Sequence, residues 1–212
     1  MPSALATTPH AGTVMALDDN WYRAITSFAQ RSEWLHMPVE MYTSVGILLL
    51  GALAVGAWWS ARSHADHRGM AAVIWIGLGT VLSIAGGLAL KQVFHEARPC
   101  RTIATATVQA CPAPTDYSFP SDHMTVAVAL ALGVWLVNRK LGLVAVVLAV
   151  IEGFSRVYLG QHYPHDVAGA VVLSSLILLG GWHLARGPLT RMVTMLEGTP
   201  ARPLLIGRRH IG

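Results

Sequence analysis

Five stretches of the chain carry almost no charge: about Met41 to Trp59, Ala71 to Leu90, His123 to Val137, Leu141 to Leu159 and Val167 to Leu184. A hydrocarbon core of about 30 Å needs about 20 apolar residues in a helix, and all but the third come close to that. The third is flanked by Asn138, Arg139 and Lys140, which can snorkel to the interface. Small residues recur within the stretches (Gly46, Gly51, Gly56; Gly77, Gly79; Ala127, Ala131), and small residues let membrane helices approach closely. Ahead of the first stretch, Leu17, Trp21, Ile25 and Phe28 fall at helical spacing opposite Asp18, Asp19, Arg23, Gln30 and Arg31. That pattern suits a helix lying along a membrane interface, and equally one packed on a bundle. The pattern therefore predicts an all-α, polytopic membrane helix bundle with five transmembrane spans and an N-terminal interfacial amphipathic helix. Residues 1–16 are expected to be flexible, 17–185 to form the membrane domain, and 186–212 to be a basic tail.

Composition agrees: 53% of the residues are apolar and 12% charged, where soluble domains carry about 25% charged residues. The net charge of +4 does not point to nucleic acid, because the basic residues sit between and after apolar stretches with no interleaved aromatics. No basic segment followed by a compact apolar core opens the chain, so no cleavable signal peptide is expected. Arg62, Arg68, Arg139, Lys140, Arg186, Arg191, Arg202, Arg208 and Arg209 share one side of the predicted bundle. By the positive-inside rule that side is cytoplasmic, and the segments Lys91 to Asp122 and Ser155 to Asp166 face outward.

Three polar segments stand at the outward span ends. They are Lys91-Gln-Val-Phe-His-Glu-Ala-Arg98-Pro99, then Phe119-Pro120-Ser121-Asp122-His123, then Ser155-Arg156 through His162 to Asp166. Alone, Lys91 or Arg98 reads as a snorkeling anchor, His123 as a capping residue, and His162 with Asp166 as a structural pair. Together they offer three permanent cations (Lys91, Arg98, Arg156), a hydroxyl and backbone amides at a helix N-terminus (Ser121), a nucleophilic imidazole (His162), an orienting carboxylate (Asp166) and a proton donor (His123). That inventory suits phosphoryl transfer.

The ordered spacing K-x6-R-P, P-S-x-H and S-R-x5-H-x3-D resembles the signature of the type 2 phosphatidic acid phosphatase superfamily, which holds lipid phosphatases and soluble vanadium haloperoxidases. The likeness runs from Lys91 to Asp166, and the span layout is similar to the membrane branch. The resemblance implies that Lys91, Arg98, Arg156, Ser121 and Ser155 bind phosphate, His162 attacks phosphorus, Asp166 orients it and His123 protonates the leaving group, with no metal or cofactor. Asp122 stands where the commonest family pattern has glycine; its backbone N–H is still expected to face and bind phosphate, while its carboxylate repels phosphate unless paired. P-S-D-H is similar to the bacterial undecaprenyl diphosphate phosphatases of the superfamily. The resemblance therefore implies a polyprenyl diphosphate substrate, in the bacterial cytoplasmic membrane with the site outward. A phosphatidylglycerophosphate or phosphatidate phosphatase is the alternative, and an inactive lipid-binding scaffold the alternative of a different class.

Supporting expectations are fewer. Glu152, four residues before Arg156, is expected to hold its guanidinium, and Glu96 and Asp116 to pair with Arg98 or Arg101. Cys100 and Cys111 share an outward loop where an oxidising exterior permits a disulfide. His95 and His165 are expected to be interfacial, and Tyr117, Phe119, Tyr158 and Tyr163 to form an aromatic rim. Membrane lipids are the expected surroundings, and oligomeric state is left open.

Overall fold

The computed structural model describes residues 9–205 and 207, which contain helices and connecting segments but no strand. Helices α2 (His36–Ser63), α3 (His67–Phe94) and α6 (Arg139–Tyr158) belong to segments long and apolar enough to cross a membrane. So does the continuous helix from Pro164 to Leu196, in which α7 (Pro164–Ser175) passes through a π-helical segment (Leu176–Gly180) into α8 (Gly181–Leu196). Helix α5 (Asp122–Val137) has 16 residues, which at 1.5 Å per residue span about 24 Å. Two short helices, α4 (Pro99–Thr102) and α9 (Arg202–Leu205), complete the set with the N-terminal α1 (Pro9–Arg31).

The shortest of the apolar helices is the centre of the bundle. Helix α5 packs against α2, α3, α6 and α7 and buries Met124, Thr125, Ala127, Val128, Ala129, Ala131 and Val134. Its small residues set the spacing: a Cβ added at Gly133 would stand 2.7 Å from Ile76 Cγ1 of α3. The outer helices turn Leu48, Val55, Val81, Val147, Val150, Val172 and Leu176 outward, all exposed. Helices apolar on the inner and the outer face are those a lipid environment accepts.

The fifth apolar stretch does not end near Leu184. Trp182, Leu189 and Val193 continue a helical stripe that packs on Met70, Ala71 and Trp75, so the helix persists to Leu196 with Pro188 inside it. Beyond it, α9 docks on the end of α2, where Trp58 Nε1 donates to Leu204 O (3.0 Å) and Arg62 Nε to Pro203 O (2.6 Å). Arg208 and Arg209 of the expected tail lie outside the described residues, as do residues 1–8 of the expected flexible N-terminus. Residues 9–16 begin α1.

Helix α1 packs on the end of α6 through Tyr22, Thr26 and Ala29, and leaves Leu17, Trp21 and Phe28 exposed. Tyr22 Oη donates to Gly160 O (3.1 Å) and Ser32 Oγ pairs with Tyr158 Oη (2.9 Å). This corrects the aromatic rim: Tyr158 and Tyr163 are buried, because α1 and the Ser32 turn cover them.

Cys100 and Cys111 are joined by a disulfide, with Cα atoms 5.9 Å apart. Closing so short a loop is worth about 3 kcal/mol in the chain-entropy picture, and it holds the segment that carries Arg98. Alkylation of the unreduced protein is expected to label neither cysteine, and alkylation after reduction to label both. Labelling before reduction would show that the bridge is not formed.

Candidate active site

Each polar segment reaches the site by a helix terminus. Helix α3 stops at His95, whose left-handed backbone (φ 46°) turns the chain. Arg98 then takes the extended conformation that a following proline favours, with φ −66° and ψ 147°. Ser121 is the N-cap residue of α5. Helix α6 ends in a tight turn at Gly160 (φ 80°), where a Cβ would stand 2.5 Å from Thr107 Cγ2. Only glycine meets both demands without strain, and the turn delivers His162. Pro164 opens α7 with Tyr163 as N-cap, and Asp166 in its first turn reaches back to accept the Tyr163 N–H (2.7 Å).

His162 is 1% exposed. Its Nε2 lies 3.1 Å from Arg98 Nη1 and its Nδ1 lies 3.3 Å from Asp166 Oδ2. Arginine has only donors and an ionised carboxylate only accepts, so Nε2 carries the lone pair and Nδ1 the proton. Burial holds this imidazole below its ordinary value of 6.5, against the opposing pull of Asp166. The result is a neutral histidine whose unprotonated nitrogen faces Arg98. Asp166 Oδ2 also accepts from Ser118 Oγ (2.5 Å).

The cations converge on the same place. Lys91, Arg98 and Arg156 are all buried. A cavity of about 490 Å³ is lined by Arg98, Asp116, Asp122, His123, Arg156 and His162. Arg98 donates from Nη2 to Asp116 Oδ1 (2.9 Å) and from Nη1 to Gln161 O (3.0 Å). Lys91 Nζ donates to Tyr117 O and lies 3.2 Å from Asp122 Oδ2 and 3.7 Å from Asp116 Oδ1. Burial would raise the Asp116 carboxyl, but its hydrogen bond to Arg98 and the charges of Arg98 and Lys91 outweigh that and lower it. Two carboxylates thus lie among the cations, and the Asp122 charge is paired. Ser121 is wholly buried and its Oγ has no hydrogen-bond partner.

Ser155 Oγ donates to Glu152 O (2.7 Å) within its own helix, the back-bonding common to serine in helices. One predicted contact is absent. Glu152 forms no ion pair with Arg156, and neither of its carboxylate oxygens has a hydrogen-bond partner. Helical side chains lean toward the N-terminus. Glu152 accordingly faces α2, where a Cβ on Gly46 would stand 3.4 Å from its Oε2. Arg98 takes Asp116 as partner, whereas Arg101 donates to Pro112 O. Ser118 had no signal in the sequence, since its loop meets α7 only in three dimensions. The closest approach to a metal-ligand set among the described residues is Glu96, His165 and Asp166, which are already engaged in mutual ion pairs.

The matched segment of the chain and the site coincide. The PAP2 superfamily profile matches residues 72–187, which include every residue lining the cations and His162 except those of the α2 end, and the chain belongs to that superfamily. Its relatives include undecaprenyl-diphosphatase BcrC of Bacillus subtilis, 27% identical over 156 residues (74% of this chain, 78% of the relative). An undecaprenyl-diphosphatase of Sulfolobus acidocaldarius is 31% identical over 126 residues (58% of this chain, 61% of the relative). The crystal structure of a PAP2-type phosphatidylglycerolphosphate phosphatase from Bacillus subtilis superposes with a TM-score of 0.57 at 23% identity, covering 81% of this chain and 87% of that one.

Asp116 engages Arg98 and lies 3.7 Å from Lys91, so an anion that used these cations would have to displace it. Replacing it by Asn is expected to tighten inhibition by orthophosphate roughly two- to fivefold, the scale of a half-exposed ion pair. Unchanged or weaker inhibition would show that this carboxylate does not hold the seat.

Proposed function

We propose that the chain is a lipid phosphatase that hydrolyses a polyprenyl diphosphate, of which undecaprenyl diphosphate is the type, to the monophosphate through a phosphohistidine on His162. The observation that carries the reading is the state of His162: Nδ1 toward buried Asp166 and Nε2 beside Arg98, at a cavity edged by cations. The names of the relatives favour the diphosphate. The pairing of Asp122 with Lys91 removes the objection that its carboxylate would repel phosphate.

In this reading the terminal phosphoryl group displaces Asp116 and lies against Lys91, Arg98 and Arg156, with Ser121 and the first amides of α5. Nε2 of His162 attacks the phosphorus in line and the bond to the bridging oxygen breaks. His123 protonates the departing lipid monophosphate. Asp166 offsets the positive charge that develops on the imidazole. Water, deprotonated by His123, then cleaves the N–P bond and releases orthophosphate. Catalysis rests on positioning and charge stabilisation, and no metal is called for.

The same reading has α5 cross the membrane as a fifth span, short by about 6 Å against an average core. Its enclosure by four other helices supports this. The exposed Leu17, Trp21 and Phe28 of α1 suit the headgroup layer. Arg62, Arg68, Arg139, Lys140 and Arg186 lie at the bundle end opposite the cavity, by the order of the helices. The positive-inside rule then places the site on the extracytoplasmic side of the bacterial cytoplasmic membrane.

The test is phosphate release by purified protein in detergent with a chelator present. Undecaprenyl diphosphate, phosphatidylglycerophosphate and phosphatidate are compared side by side, with His162→Ala as control. Preference for the diphosphate is expected, with no loss to chelator and at least a thousandfold loss in His162→Ala, the scale of removing a covalent nucleophile. Preference for a glycerolipid would move the substrate but keep the chemistry. Near wild-type turnover by His162→Ala would reject the phosphohistidine.

A further inference from the structure

His165 takes no part in the chemistry just described, yet its ring faces three carboxylates. Nδ1 lies 2.8 Å from Asp18 Oδ2 on α1, and Nε2 lies 2.9 Å from Glu96 Oε1 and 3.4 Å from Asp166 Oδ1. The His165 backbone N–H also donates to Asp18 Oδ1 (3.0 Å). Nδ1 donates to Asp18 Oδ2, and with carboxylates within ion-pair distance of both nitrogens, which can accept but not donate, the ring is held as an imidazolium. The ring stacks on Tyr163 (centroids 5.2 Å, planes 20°) and on Phe119 (5.8 Å, 26°), which hold its plane.

Asp166 is asymmetric in a way that gives this ring a task. Its Oδ2 receives three donors, from Ser118, Tyr163 and His162. Its Oδ1 is buried and has no hydrogen bond. A bare buried carboxylate oxygen is costly, and the nearby cation of His165 is what offsets it. Helix α1 and the Ser32 turn that follows it bracket the His162 segment, with Asp18 on His165, Tyr22 on Gly160 and Ser32 on Tyr158.

We propose that α1 is part of the catalytic apparatus: Asp18, together with Glu96, holds His165 as a cation against Oδ1 of Asp166, and so keeps that carboxylate where it orients His162. His165 and Asp18 are positioning residues, and the inference rests on His162 and Asp166 acting as proposed above. A cation beside Oδ1 also keeps the Asp166 charge in place while the imidazole attacks phosphorus and gains positive charge.

The experiment measures kcat and KM of full-length His165→Gln, His165→Lys, Asp18→Asn and the Asp18→Asn/His165→Gln double variant, on the substrate that wild type prefers, beside His162→Ala. Thermal melting in detergent accompanies each. His165→Gln and Asp18→Asn are each expected to lower kcat about tenfold, the scale of a small misplacement of a catalytic group, with KM within about twofold of wild type. His165→Lys, which keeps a cation, is expected to recover most of the loss. The double variant is expected to be no slower than His165→Gln, because both changes act through one path. Wild-type kcat in His165→Gln, equal loss in the Lys and Gln variants, or additive losses in the double variant would each overturn the proposal. If His162→Ala is inactive while His165→Gln is unimpaired, this inference alone fails; an active His162→Ala fails the phosphohistidine reading itself.

Discussion

Three parts of the chain meet on one buried carboxylate. Asp166 receives Ser118 from the loop before α5, the Tyr163 N–H from the cap of α7 and His162 from the turn after α6. Its own carbonyl accepts the Ser121 N–H at 3.3 Å, which ties the start of α5 to the start of α7. A fully buried charge of this kind persists only where donors converge on it. The convergence brings the lone pair of His162 to the same end of the bundle as the cations. Were Asp166 unpaired, neither the tautomer of His162 nor the approach of the three segments would be defined.

That arrangement needs a rigid frame, and α5 provides it. It is too short to match an average bilayer core, yet it is the helix the others enclose, with alanine and glycine where α3 and α6 come close. Close packing resists small displacements, and the site hangs from the N-terminal end of this helix. The disulfide between Cys100 and Cys111 restrains the segment between Arg98 and Asp116, which the frame itself does not reach.

Electrostatics divides the site into an inner and an outer layer. Inside, Asp166 and the neutral His162 form the pair proposed to react. Outside, Asp116 and Asp122 partly neutralise Arg98 and Lys91. Three cations packed at one depth would repel one another strongly where the dielectric is low, and the two carboxylates relieve this while no anion is bound. Arg156 has no such partner among the described residues, and its Nε has no hydrogen bond.

Much of this protein was legible in the residues themselves. The apolar periods announced the helices and their membrane character, because every span must bury its own backbone groups and apolar length is a local property. The three polar segments marked out Lys91, Arg98, Ser121, His123, Arg156, His162 and Asp166 for the proposed site, because polar residues at span ends in this order are unusual. Of these, Arg98, His123, Arg156 and His162 line one cavity. What depended on distant contacts was decided only by the tertiary structure. Ser118 meets Asp166 across 48 residues and Asp18 meets His165 across 147, and no spacing rule spans such separations. Glu152 turned toward α2 rather than Arg156 because side-chain direction follows packing as well as sequence interval. The helix through Leu196 owed its length to Trp182 and Val193 packing on α3. The residues proposed for the chemistry are marked by local sequence, and packing between distant segments chose their partners.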